Sequence, residues 1–117
     1  MAMMASALKT NNSLRYLDMS FNNMGVASGI QAGVMLERNR CLTHLDISGN
    51  HIGPDGATAL GKFLAVNPTL LTLAVNSNGI EVAGATAILK ALTLRNTTLQ
   101  TLMMGDNKVR GTCGFAR

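Results

Sequence analysis

The side chains with chemical potential in this sequence are His44 and His51, Cys41 and Cys113, and two Asp-x-Ser pairs, Asp18/Ser20 and Asp46/Ser48. A zinc-type site needs such ligands in a tetrahedral set. Cys41 and His44 stand three positions apart, which on a strand sends them to opposite faces, and His51 falls in the turn beyond. No metal site is expected, and no cofactor. A nucleophilic serine or cysteine needs a general base held by an orienting acid. Ser20 and Ser48 have an acid beside them but not the base, and neither cysteine has a histidine with an orienting acid at hand. His44, between Asp18 and Asp46, is the one cluster of titration interest, and the carboxylates should hold its ring protonated rather than make it catalytic. Catalysis is not expected. Neither glycine-rich phosphate loop follows a strand, so nucleotide binding has no support.

These residues take their meaning from the elements that position them. Leu14, Leu17, Met19, Asn22 and Met24 recur as Leu42, Leu45, Ile47, Asn50 and Ile52, then as Leu70, Leu73, Val75, Asn78 and Ile80, and again as Leu99, Leu102, Met104, Asn107 and Val109. The copies begin 28 or 29 residues apart. A fixed period of this size marks a solenoid, whose units bury their apolar faces only against their neighbours.

Within each copy, apolar residues two apart share one face of a short strand, and the residues between them point outward. The asparagine that follows offers an acceptor and two donors to the backbone of a tight turn. Asn22, Asn50, Asn78 and Asn107 therefore read as a structural ladder. Past the turn the period becomes helical: Gly56, Leu60 and Leu64 match Gly84, Ile88 and Leu92. Helices are predicted over 26–38, 54–66 and 82–95, with Pro54 and Asp55 suited to a first turn. Asn39, Asn67 and Asn96 mark the exits, where asparagine tolerates the left-handed conformation. The small residues Ser28, Gly56 and Gly84 should let helix and strand layers approach closely. Right-handed strand–helix units give a parallel sheet on one side and helices on the other. Strands pack about 4.8 Å apart and helices about 8–10 Å, so the sheet must line the concave face and the helices the convex one.

The pattern Leu-x-x-Leu-x-apolar-x-x-Asn-x-apolar, with the Gly-Ala-x-x-Leu-x-x-x-Leu-x-x-Asn tail of Gly56 to Asn67, resembles the ribonuclease-inhibitor-like leucine-rich repeats. That resemblance implies an α/β right-handed βα solenoid, a horseshoe segment. The family includes ribonuclease inhibitors, sensor regions of innate immune receptors, activators of the small GTPase Ran and tropomodulin-type actin regulators, so it implies a protein partner without naming one. Residues 1–117 read as a single domain with repeats starting at Leu14, Leu42, Leu70 and Leu99. Residues 1–13 read as the remnant helix of a preceding repeat, with Met4, Leu8 and Asn11 matching Leu60, Leu64 and Asn67. Residues 110–117 read as a degenerate tail, too short and glycine-rich for a fourth helix. Neither end carries a polar cap, so a fragment of a longer array, or a shortened gene product, that partly self-associates is expected.

Outward positions form columns across the repeats: Tyr16, His44, Thr72 and Thr101; Asp18, Asp46, Ala74 and Met103; Ser20, Ser48, Asn76 and Gly105. The first two columns, with Asn76, are the expected partner-binding face. Its acidic half suits a cation or hydroxyl, and Ala74 and Met103 suit a small apolar knob. The net charge of +4 permits nucleic acid. Arg38, Lys62, Lys90 and Arg95 fall late in helices, though, and Phe21, Phe63 and Phe115 are scattered and read as partly buried, so none is expected to bind. The apolar start, Met1 to Leu8, has no leading cation and is interrupted by Lys9, which supports neither signal peptide nor membrane span. Two cysteines do not make a disulfide scaffold, which leaves a reducing, cytoplasmic setting as the expectation. The expected function is thus a non-catalytic protein-interaction module. The alternatives are a regulatory segment of a GTPase-activating or immune-sensor protein, and a structural spacer in a longer array.

Overall fold

The computed structural model describes residues 2–108 and 114–116. Val109 of the last copy and Cys113 lie outside them. Helices α1 (Ala2–Thr10), α2 (Val26–Arg38), α3 (Gly53–Leu64) and α4 (Glu81–Leu94) alternate with strands β1 (Tyr16–Asp18), β2 (His44–Asp46), β3 (Thr72–Ala74) and β4 (Thr101–Met103), and β5 (Gly114–Ala116) closes the series. The strands form one sheet in sequence order, the first four parallel, which makes the chain an α/β solenoid. The predicted helices over 54–66 and 82–95 both start one residue earlier than expected. At Gly53 and Glu81 the backbone is left-handed, with φ of 66° and 58°, and each N–H donates to the turn of the next repeat, at Asn78 O and Asn107 O.

Register does the core's work. Leu17, Leu45, Leu73 and Leu102 stand side by side across the sheet, and the last three are at most 1% exposed. With Leu42, Ile47, Leu70, Val75 and Leu99 they meet Leu36, Leu60, Leu64 and Ile88 from the helices in one continuous apolar cluster. Each fully buried side chain of this size stabilises the fold by about 1.5–3 kcal/mol. On α1 the core side is Ala5 and Leu8, whereas Met4 is exposed, a departure from its expected match with Leu60.

The turn asparagines lock the strand ends. Asn78 Oδ1 accepts from Asn50 N and Ile52 N while its Nδ2 donates to Ile47 O. Asn50 and Asn107 repeat the arrangement toward their own preceding copies. Asn22 is the exception. It is exposed, and its Nδ2 donates within its own turn to Met19 O and Ser20 O.

At the helix exits the expectation of left-handed asparagines fails. Asn39 has φ −70° and ψ 131°, an extended conformation. What the position needs is the amide, not the backbone. Asn39, Asn67 and Asn96 are at most 3% exposed, and each donates to a carbonyl of the preceding helix (Leu8, Leu36 and Leu64). Each Oδ1 accepts from the next strand's approach, at Leu42 N, Leu70 N and Leu99 N. A second asparagine ladder thus runs on the opposite edge of the solenoid from the first.

The small helical residues also act differently from expectation, because they bring helix against helix rather than helix against strand. A Cβ on Gly29 would stand 2.8 Å from Gly56 Cα, and one on Gly84 would stand 2.8 Å from Ala57 Cβ. Ser28 instead gives its hydroxyl to Gly25 O. Close helices reduce the mismatch with the strand spacing and so flatten the curve. The tail, read as degenerate, pairs in part: Gly114–Ala116 runs antiparallel to β4 and occupies its outer edge.

Candidate functional site

Residues between the core leucines face away from the helices, so the pleat alone assembles the outward columns. Tyr16, His44, Thr72 and Thr101 are successive partners in register, as are Asp18, Asp46, Ala74 and Met103. A shallow concavity of about 290 Å³ lies over them. Tyr16, Asp18, His44, Asp46, Thr72, Ala74 and Met103 line it, whereas Thr101 and Asn76 do not. Ala74 is only 2% exposed, so it forms floor rather than contact surface. Asn76 is committed to the neighbouring turns: its Oδ1 accepts from Gly105 N at 2.7 Å, and its own N–H donates to Ser48 Oγ.

At the β1–β2 end two rings meet. The Tyr16 and His44 centroids are 4.1 Å apart with 16° between planes, a stack on a Tyr16 that is 68% exposed. His44 Nδ1 lies 2.8 Å from Thr43 Oγ1, which in turn donates to Arg15 O at 3.1 Å. The Thr43 hydroxyl thus stands within hydrogen-bond distance of both the Arg15 carbonyl and the imidazole, and fixes the ring's Nδ1 edge against the strand. The partners that hold the imidazole are a hydroxyl and a ring.

The carboxylates are held by their own serines. Asp18 Oδ1 accepts from Ser20 Oγ at 2.6 Å and Ser20 N at 2.9 Å, and Asp46 Oδ1 accepts from Ser48 N at 2.9 Å. The hydroxyl of Ser20, and after it the Ser20 N–H, hold the Asp18 carboxyl below the usual carboxylate range, against a small opposing effect of burial. Asp18 is therefore a fixed negative charge at neutral pH. The serines and Thr43 are positioning residues: the Asp-x-Ser pairs stand in the sequence, but what each hydroxyl and N–H holds is shown only by the fold.

The remaining candidates scatter. Cys41 is a buried free thiol whose Sγ approaches Asn11 O at 3.1 Å and Leu14 O at 3.3 Å. It stands where Thr69 and Thr98 send hydroxyls to Leu42 O and Asn67 O, and so does a threonine's structural job. His51 is exposed at φ 58°. Phe21, read as partly buried, is 75% exposed, because its left-handed backbone swings the ring out against Gly49. Among the described residues no group of three or more His, Cys, Asp or Glu side chains is placed to hold a metal ion, and no helix is long and apolar enough to cross a membrane.

A family model described as Leucine Rich repeat matches residues 10–30, 38–61 and 66–89. No curated protein matches the chain. Among solved structures it is similar to one titled "Leiomodin-1 Actin-Binding Site 2 (ABS2)", at 23% identity and a TM-score of 0.81. The likeness covers 95% of this chain and 64% of the other, so the chain spans less than two thirds of that structure's length.

Proposed function

We propose that this chain, which belongs to the leucine-rich repeat family, is a non-catalytic module that binds another protein through the concave face of its sheet. The observation that carries this reading is the exposed Tyr16–His44 stack beside the in-register pair Asp18 and Asp46. No need of the core explains it, and it rests on strands whose inner faces are locked. Exposed aromatics flanked by fixed charges are the anchors that interfaces use. A partner group carrying a cation would meet the aspartates, and a small apolar group would meet Met103 across the Ala74 floor, with Thr72 between and Thr101 and Asn76 at the margin. The ribonuclease-inhibitor-like subtype, a single domain over 1–117 and a cytoplasmic setting belong to the same reading.

Likeness to a solved actin-binding site favours actin as the first partner to try. The experiment measures monomeric and filamentous actin against the full chain, the double variant His44→Ala/Asp46→Lys, and a chain carrying a photo-crosslinking residue in place of Thr72. Binding lost in the double variant is the expected result. Actin binding that survives it would sink the concave face as the actin surface. If actin does not bind at all, the crosslinker reports other partners, and protein crosslinks equal in wild type and double variant would sink the concave reading itself.

A further inference from the structure

On the convex side, α3 and α4 leave a groove of about 310 Å³ whose lining includes Lys62, Lys90 and Arg95, with no carboxylate among the lining residues. Between the cations the wall is apolar, made by Ala65, Ala91 and Leu94, and Leu94 is 76% exposed. Helix-dipole complementarity accounts for Lys62, in the last turn of α3, and for Arg95, the C-cap residue of α4, but not for Lys90, which lies ahead of the last turn of α4. The counterpart groove between α1 and α2 differs, since it contains Glu37 among its cations and is lined mostly by polar residues. Like charges gathered around an exposed leucine repel one another and leave apolar surface wet, and an acidic, apolar occupant relieves both.

We propose that the α3–α4 groove is a second interaction surface, which docks an acidic amphipathic segment of a protein partner, with carboxylates on Lys62, Lys90 and Arg95 and an apolar side chain on Leu94. Charge complementarity selects the occupant. An anionic membrane is served by clusters of four to eight cations, more than this groove has. A nucleic acid wants stacking aromatics, and the lining has none. The surface is independent of the concave face, so either reading can fail without the other.

The test uses the full chain, labelled with ¹⁵N, and a synthetic helical peptide with glutamates on one face and leucines on the other. Amide shifts are expected at Gly61, Ala87 and Ala91, with affinity that falls as salt rises. Lys62→Glu/Lys90→Glu/Arg95→Glu should weaken binding about tenfold or more, Leu94→Ser about threefold, and His44→Ala/Asp46→Lys not at all. Should charge reversal disturb the circular dichroism spectrum, the glutamine triple variant gives the same direction with a smaller loss. The proposal is overturned by shifts that miss this groove, by equal binding of a peptide of the same composition with its amphipathic pattern scrambled, or by phosphatidylserine vesicles that perturb these amides where the peptide does not.

Discussion

Asn78 and Asp46 occupy neighbouring repeats of the same sheet, yet solvent treats them oppositely. The first is 2% exposed and holds four groups of the surrounding backbone; the second is half-buried, with its carboxylate at the rim of the concavity. The interior ladders and the concave strip are interleaved along the chain but energetically separate. Among the described residues every fully buried side-chain nitrogen or oxygen has a hydrogen-bond partner, so the ladders leave no slack to trade for binding. The strip, by contrast, can vary its side chains without touching the lock that orders it.

That separation can be broken by substitution. The largest effect is expected for Asn78→Ala, which orphans several buried backbone groups at about 1–3 kcal/mol each and should cost about 3–5 kcal/mol in denaturant unfolding. Asn67→Ala on the other ladder should cost a similar amount; a loss under about 1 kcal/mol would demote the helix-exit ladder. His51→Val puts a β-branched residue at φ 58° and should cost about 1–2 kcal/mol, whereas His51→Gly should cost nothing. On the strip, Tyr16→Ala should cost no more than about 1 kcal/mol of stability while it weakens partner binding, and a loss as large as the ladder's would erase the comparison.

The smallest effect is on pH. Asp18 has a folded value below its unfolded one, so its contribution is present above the unfolded value of about 3.9 and is lost as pH falls through the folded one. Ser20→Ala should move the Asp18 titration, followed by carboxyl NMR, up toward the ordinary value. No movement would mean that the Ser20 hydroxyl is not what holds the charge.

Much of this was legible because a repeat states its pattern several times. Leu45 and Leu73 share a core and Asp18 faces Asp46, as the spacing required. Reading failed where a residue type has two uses. Asparagine at a helix exit can serve by left-handed backbone or by amide, and only burial at Asn39 and Asn67 chose the amide. Glycine can admit a strand or a helix, and Gly29 against Gly56 chose the helix. Phe21 reads as partly buried by type and is turned outward by its backbone.

What the sequence determined alone was the periodic part: strand and helix order, register, and which columns face out, since period two and period near four leave no other way to bury the leucines. What only the tertiary structure decided was everything that depends on a neighbour: the Tyr16–His44 stack, the Thr43 and Ser20 supports, the second ladder, and the basic groove between α3 and α4. Those contacts join residues about a repeat apart or fix a side-chain direction within a turn, and neither distance nor direction is written in the order of residue types.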